Sequence, residues 1–148
     1  MKAFDPLHIL QILDSHNVRF VVIGGIAGRL WGSTTVTNDL HICYARDRDN
    51  LEALATALKE LKVKLRGTDR VAFGLTTVAG KLRGFATPPA SGGYDTLART
   101  ATEMDVGGVK IQVASIEDLI RMKRAAGRPK DLIEVEVLAA VREELDRQ

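Results

Sequence analysis

Hydrophobic residues recur at helical spacing in four long stretches of the chain, and each stretch begins with a residue that favours a helix start. The clearest is "RDRDNLEALATALKEL" at 46–61, where leucines recur every three or four positions after a cap at Asp47 or Asp49. Asp5, Ser115 and Pro129 precede the other three. The first predicted helix begins at Asp5-Pro6 and stops near Asn17. The other three cover 46–61, 116–127 and the chain from Pro129 onward, and Gly127 separates the last two.

Other segments carry the patterns of strands. "RFVVIGG" at 19–25 is a nearly continuous apolar run that ends in two glycines, which predicts a strand buried on both faces. A short helix in 26–32 and a polar connection then lead to "DLHICYA" at 39–45, expected to lie beside the first strand. Two hairpins and a loop complete the pattern: strands near 70–78 and 81–87 turning at Ala79-Gly80, a loop at 88–95, and a hairpin around Gly107-Gly108.

These elements predict a single domain of the α/β class (equally described as α+β), with a mixed β-sheet flanked by helices. At 148 residues the chain has the length of one domain with a real core, and no repeat or linker divides it. We expect one domain over residues 1–148, with the C-terminal helices of 115–148 packed on the rest.

Composition narrows the class of protein. The chain is 45% hydrophobic and 27% charged, as in ordinary globular proteins, and its net charge of +2 is too small to indicate a nucleic-acid-binding protein by itself. The one cysteine, Cys43, lies in an apolar strand and predicts a buried thiol in a reducing compartment. Because no stretch resembles a signal peptide or a membrane span, we expect a cytoplasmic protein without a membrane partner.

Asp39 and His41 are the first candidates for chemistry, because alternate residues of a strand share one face. A carboxylate such as Asp39 suits Mg²⁺, whereas imidazole is a better ligand for zinc, copper or nickel. The spacing is therefore that of a metal site with one ligand exchanged. The alternative is that His41 is a partly exposed strand residue hydrogen-bonded to Asp39.

Gly24 and Gly25 close the first buried strand directly ahead of a short helix. Glycine permits positive φ and lets the backbone approach a phosphate, while the N–H groups of the following helix can bind the anion. Most glycine pairs serve only as turns. The position of this pair ahead of Asp39 is what favours a phosphate-binding turn.

Five cations and no acidic residue occupy "RMKRAAGRPK" at 121–130. On a helix Lys123 cannot face the same way as both Arg121 and Arg124, so part of this cluster is expected to be a solvated surface. Asp131 follows as a partner for one of the cations or as a first-turn acid of the last helix.

Two segments carry a resemblance to a known family. "VVIGGIAGRLWGSTTVTNDLHI" resembles the opening of the DNA-polymerase-β-like nucleotidyltransferase fold, particularly small bacterial proteins related to abortive-infection AbiEii toxins. "VASIEDLIRMKRAAGRPKDLIEVEVL" resembles the C-terminal segment of that group. The likeness covers roughly residues 18 to 140.

In that family a glycine turn is followed by Asp-x-Asp on the next strand and by a third carboxylate, which together hold two metal ions. The resemblance matches Gly24 and Gly25 to the turn and Asp39 to the first carboxylate. It places His41 at the second position and Arg83, with a possible slip of two residues, at the third. Two exchanges toward positive charge disfavour a bound Mg²⁺ or Mn²⁺. Either Arg83 reaches toward Asp39 in place of a metal, or it is a solvent-exposed strand residue.

The resemblance implies a nucleotidyltransferase that moves a nucleoside monophosphate from a nucleoside triphosphate to a hydroxyl of RNA, protein or a small molecule. Asp39 would be the metal ligand, with His41 beside it and Lys123 steadying phosphates, while Arg128, Lys130 and Asp131 support the site. The alternative is a catalytically degenerate module that binds a nucleotide, RNA or an antitoxin-type protein partner without the two metals. Activity stays open between these hypotheses.

Overall fold

The structure is a computed structural model that describes residues 3–68 and 72–148. Six helices and seven strands are found in these ranges. The helices are α1 (Pro6–Ser15), α2 (Gly24–Trp31), α3 (Arg48–Glu60), α4 (Tyr94–Thr100), α5 (Ile116–Ala126) and α6 (Pro129–Asp146). The strands are β1 (Phe20–Ile23), β2 (Asp39–Tyr44), β3 (Lys64–Thr68), β4 (Ala72–Thr77), β5 (Gly80–Phe85), β6 (Thr102–Val106) and β7 (Val109–Val113).

All seven strands join one mixed sheet in the order β3-β4-β5-β2-β1-β7-β6. β2 pairs with β5, and β1 with β7, in parallel, while the remaining neighbours are antiparallel. The α/β architecture with a mixed sheet flanked by helices is confirmed. β1 lies near the centre, and its four residues are all buried, as the unbroken apolar run predicts.

The helices pack in two groups. α1 contacts α3 and β7, whereas α2 contacts β1, β2 and α5, and α5 runs against α6. The predicted caps are present: Asp5, Asp47 and Ser115 each accept a hydrogen bond from a backbone N–H three residues later. Gly127 ends α5 at a φ of +69°, a left-handed conformation that favours glycine. Within the described ranges, no helix combines the length and hydropathy needed to cross a bilayer.

Three local features differ from the sequence prediction. β3 was not expected, since "KLRGT" contains two cations and a glycine and lies at an edge of the sheet. α4 falls where a loop was expected to end; it has seven residues and Leu97 as its buried residue. The first hairpin turns at Val78-Ala79, one residue early, and residues 70 and 71 of its predicted first strand lie outside the described ranges.

A buried asparagine joins α3 to the ends of two central strands. The Asn50 side chain is 2% exposed and donates to the carbonyls of Arg19, at 3.0 Å, and Ala45, at 2.7 Å. Its Oδ1 accepts from the Arg19 N–H at 2.7 Å. Backbone groups at the start of β1 and just after β2 are thereby satisfied by one side chain.

We expect Asn50→Ala to lower the free energy of unfolding by about 3 kcal/mol, because it leaves the part-buried Arg19 N–H and the buried Ala45 carbonyl without the partner that Asn50 supplies. Chemical denaturation monitored by circular dichroism measures this change. The matched control is Asp49→Ala, an exposed neighbour in the same helical turn, for which a loss of less than about 1 kcal/mol is expected. Equal losses in the two variants would contradict the role assigned to Asn50.

Candidate functional site

A cleft of about 280 Å³ opens between the sheet and the junction of α5 with α6. The sheet side comes from the end of β1, from β2 and from β5. Six of the residues singled out from the sequence line this cleft: Gly24, His41, Arg83, Lys123, Arg128 and Asp131. Asp39 lies beside it through its contact with His41, whereas Gly25 and Lys130 are not among the lining residues. The fold therefore brings together residues more than one hundred positions apart.

Asp39 and His41 form a hydrogen-bonded pair on one face of β2. The His41 Nε2 and Asp39 Oδ2 atoms are 2.9 Å apart, and each side chain is about a quarter exposed. The hydrogen bond from His41 lowers the pKa of Asp39; burial opposes this shift, and the charges of His41, Arg66 and Arg83 reinforce it. The Asp39 carboxylate thus stays ionised and directed at the imidazole. This is the arrangement expected if His41 is a partly exposed strand residue hydrogen-bonded to Asp39.

Arg83 stands next to His41 in the parallel register of β5 and β2. Its guanidinium carbon lies 5.3 Å from the centre of the Phe85 ring, and the His41 ring centre lies 5.5 Å from the same ring. The sequence predicted that Arg83 would reach Asp39, but the hydrogen-bond partner of that carboxylate is His41, and Arg83 acts on it through charge. Arg83 and His41 thus both lie near the Phe85 ring at the cleft wall.

The double glycine makes room for side chains of the protein itself. Gly24 has a φ of +70°, and a Cβ built on it would lie 2.8 Å from the Nδ1 of His41. A Cβ on Gly25 would lie 2.9 Å from the hydroxyl oxygen of Thr37. Both distances are too short for a real carbon contact. The glycines are therefore required for His41 and Thr37 to pack at this turn.

On the opposite wall, Asp131 holds two cations at the edge of the cleft. Its side chain is 1% exposed; it accepts a hydrogen bond from the Arg128 Nε at 2.6 Å and lies 3.6 Å from the Lys123 Nζ. Burial alone raises the pKa of Asp131, but hydrogen bonds from Arg128 and the charges of Arg128 and Lys123 outweigh it and lower the pKa. The hydrogen bond with Asp131 likewise raises the pKa of Arg128. Asp131 also accepts from the Arg128 backbone N–H at the start of α6.

Other cations of the 121–130 cluster face elsewhere. Arg121 pairs with Asp118 at 2.7 Å and donates to the Ala90 carbonyl, while Arg124 and Lys130 are exposed. The helical argument that Lys123 cannot share a direction with both arginines agrees with this placement. The cleft accordingly receives only part of the cluster.

Sequence reasoning missed the apolar part of the lining, which comes from several elements. Phe85 follows Arg83 by two residues on β5, so strand alternation alone would place it on the same face. The other contributors lie in elements whose packing had to be known first. The missed apolar lining consists of Ile23, Phe85, Pro88, Pro89, Leu119, Met122 and Ala126.

The residues at this site do not fit a divalent metal ion such as Mg²⁺ or Mn²⁺. Mg²⁺ is usually held by one or two carboxylates together with substrate phosphates and waters, and within residues 3–68 and 72–148 Asp39 belongs to no larger group of three or more His, Cys, Asp or Glu side chains. Asp39 is engaged by His41, and Arg83 adds a permanent positive charge nearby. Among the described residues, the lining contains the cations Arg83, Lys123 and Arg128 and the carboxylate of Asp131.

Similar solved structures are nucleotidyltransferases. The lincosamide antibiotic adenylyltransferase LnuA, with lincomycin bound, has a TM-score of 0.70 at 14% identity over 95% of this chain and 99% of its own. ANT(2'')-Ia in complex with adenylyl-2''-tobramycin has a TM-score of 0.60 at 20% identity over 95% of this chain and 97% of its own. An antigenic nucleotidyltransferase-like protein from Paracoccidioides brasiliensis has a TM-score of 0.62 at 22% identity over 90% of this chain and 71% of its own.

No family model matches the sequence, and a search of curated proteins finds no match. At the identities above, structural likeness establishes the fold and does not extend to the activity. The chain thus has the nucleotidyltransferase fold, as its two motif-bearing segments predict.

A double-mutant cycle tests the packing of His41 against Gly24. We expect Gly24→Ala to cost more free energy of unfolding than Gly108→Ala, by about 1 kcal/mol or more. Both glycines have positive φ, but a Cβ at Gly108 meets nothing within 4 Å. In a His41→Gly background, which removes both the ring and the Cβ that would lie 3.0 Å from the added carbon, the excess cost at Gly24 should disappear, as measured by chemical denaturation. An excess that persists without the imidazole would show that His41 is not the cause.

Proposed function

We propose that this protein is a nucleotide-binding module of the nucleotidyltransferase fold that holds phosphate on side-chain cations without a divalent metal. The observation that carries the proposal is the charge of the described cleft lining, which contains the cations Lys123, Arg128 and Arg83 and the carboxylate of Asp131. Phosphate oxygens accept charge-assisted hydrogen bonds from such cations, and arginine binds them in a bidentate manner. Arg83, which stands where the family resemblance expects a metal ligand, contributes to this positive charge.

The apolar lining supports a ligand that also has a flat, apolar part. Phe85 and Met122 lie in the same cleft as Arg83 and Lys123, so one molecule can contact both kinds of surface. A nucleotide combines an aromatic base with a phosphate and matches this division. A volume of about 280 Å³ lies at the small end of ligand pockets, which favours one nucleotide unit over a triphosphate together with an acceptor.

A second candidate is transfer of a nucleoside monophosphate to a hydroxyl of RNA, protein or a small molecule. Two observations favour it: the fold is shared with antibiotic adenylyltransferases, and the pKa of Asp39 is lowered so that the carboxylate stays ionised. Against it stand the His41–Asp39 hydrogen bond and the positive charge of Arg83, since both compete with metal binding at Asp39. An antitoxin-type protein partner would be compatible with either function.

Isothermal titration calorimetry with ATP, GTP, CTP and UTP tests the proposal. In EDTA, at least one nucleotide should bind as tightly as in MgCl₂, within about threefold, because the cations rather than a metal neutralise the phosphate. We expect Lys123→Ala to weaken this binding by about tenfold or more. Lys130→Ala, which removes an exposed cation outside the cleft lining, should change it by less than about threefold.

Two outcomes would contradict metal-independent binding. Binding that requires Mg²⁺ or Mn²⁺, accompanied by transfer of label from an α-labelled nucleotide to an acceptor in cell extract, would establish the enzyme instead. Equal losses for Lys123→Ala and Lys130→Ala would remove the cleft from the binding site. The melting temperature of each variant serves as the control for folding.

A further inference from the structure

Positive charge is concentrated in one segment of this nearly neutral chain. Residues 62–83 contain six Lys or Arg and one acidic residue, a net charge of +5 in a protein whose total is +2. The rest of the chain therefore has a net charge of −3. Such an asymmetry creates a local positive potential that attracts polyanions, which the total charge conceals.

The strand register places Lys64 and Lys81, two of these cations, on the face of the sheet that forms the cleft wall. Lys64, Thr76, Lys81 and Asp39 are successive pairing partners across β3, β4, β5 and β2. Paired residues of neighbouring strands point to the same side, and Asp39 shares its face of β2 with His41. Lys64 and Lys81 are exposed and lie two strand spacings apart, about 10 Å.

Arg66 closes the gap between the outer strand and the cleft. Its Nε donates to the Leu75 carbonyl at 3.0 Å, which lays the side chain across β4. A Cβ built on Gly74 would lie 3.4 Å from the terminal nitrogen of Arg66, so the glycine leaves room for this guanidinium. Gly74 is the pairing partner of Arg83, and the charge of Arg66 reaches far enough to lower the pKa of Asp39. A positively charged surface thus continues from the β3 edge to the cleft.

We propose that this basic sheet surface, formed by Lys64, Arg66, Lys81 and Arg83, binds the backbone of a single-stranded nucleic acid whose terminal nucleotide enters the cleft. The inference rests on the proposed function, since the cleft must accept a nucleotide. Phosphates that recur along a nucleic-acid strand suit cations on β3 and β5, which are separated by the width of β4. The cleft beside them, with its apolar wall, accepts one unpaired nucleotide but not the end of a duplex.

Fluorescence anisotropy of a short labelled single-stranded RNA, with DNA of the same sequence as a second arm, tests the proposal. The sheet variant is Lys64→Gln/Arg66→Gln/Lys81→Gln, whose three positions lie outside the cleft lining. We expect it to weaken binding by about tenfold or more and to reduce the slope of log affinity against log salt concentration by about 2. The RNA and DNA arms report whether the sugar contributes.

The matched control removes the same charge elsewhere: Lys59→Gln/Arg99→Gln/Lys110→Gln alters exposed cations on α3, α4 and β7. It should weaken binding by less than about threefold. Calorimetry with the free nucleotide that binds best is run on both variants and should show little change. If the sheet variant is poorly folded by melting temperature, the single variants Lys64→Gln and Lys81→Gln replace it, each with a smaller expected loss.

Several results would overturn the proposal. Equal losses in the sheet and control variants would show that only total charge matters. Duplex binding as tight as single-strand binding would exclude entry of the terminal nucleotide. If polyglutamate binds as tightly as RNA and is lost in the same variant, the surface recognises acidic polypeptide instead. If the wild-type protein binds a free nucleotide but neither single-stranded RNA nor DNA, only this inference is refuted, whereas a wild type that binds no free nucleotide refutes the proposed function itself.

Discussion

The packing of the His41 imidazole against Gly24, with its hydrogen bond to Asp39, fixes the position of the two side chains on which the proposed function of the cleft depends. The ring occupies the space that is free because Gly24, directly after β1, has no side chain. Its Nε2 lies 2.9 Å from the Asp39 carboxylate. A residue larger than glycine at position 24 would displace the ring. Arg83 lies next to His41 in the β5–β2 register, so two neighbouring strands present nitrogen groups at the two positions that the family resemblance assigns to carboxylates.

The opposite wall shows how positive groups can be held close together in a compact fold. Asp131 is buried and satisfies both Arg128 and Lys123, so the cations are positioned by one carboxylate that does not itself face solvent. Removing such a carboxylate would leave two cations close together, whereas its presence keeps them at the cleft edge at little electrostatic cost. The cleft and the basic sheet surface adjoin each other at Arg83, and within the part of this region that the structure describes Asp39 and Asp131 supply carboxylates.

Much of the fold follows from the sequence, because apolar periodicity and capping residues report local structure directly. α3, α5, β1 and the hairpin at Gly107-Gly108 lie where their patterns predict them. β3 and α4 were missed because they are short, and because the edge strand carries cations where a central strand carries apolar residues. For the site, alternation along β2 was enough to place Asp39 and His41 together. The pairing of β2 with β5, and the approach of Lys123 and Asp131 from the other end of the chain, depend on tertiary packing that no local pattern encodes.

The most direct test of whether side-chain cations take the place of a metal ion is to put carboxylates at positions 41 and 83. The melting temperatures of the wild type and of His41→Asp/Arg83→Asp are measured with MgCl₂ and with NaCl at equal ionic strength. We predict that Mg²⁺ leaves the wild type unchanged and raises the melting temperature of the double variant by about 5 °C or more, as saturating binding to the native state would. Stabilisation of the wild type by Mg²⁺ to the same extent would contradict the assignment of His41 and Arg83 as replacements for the metal.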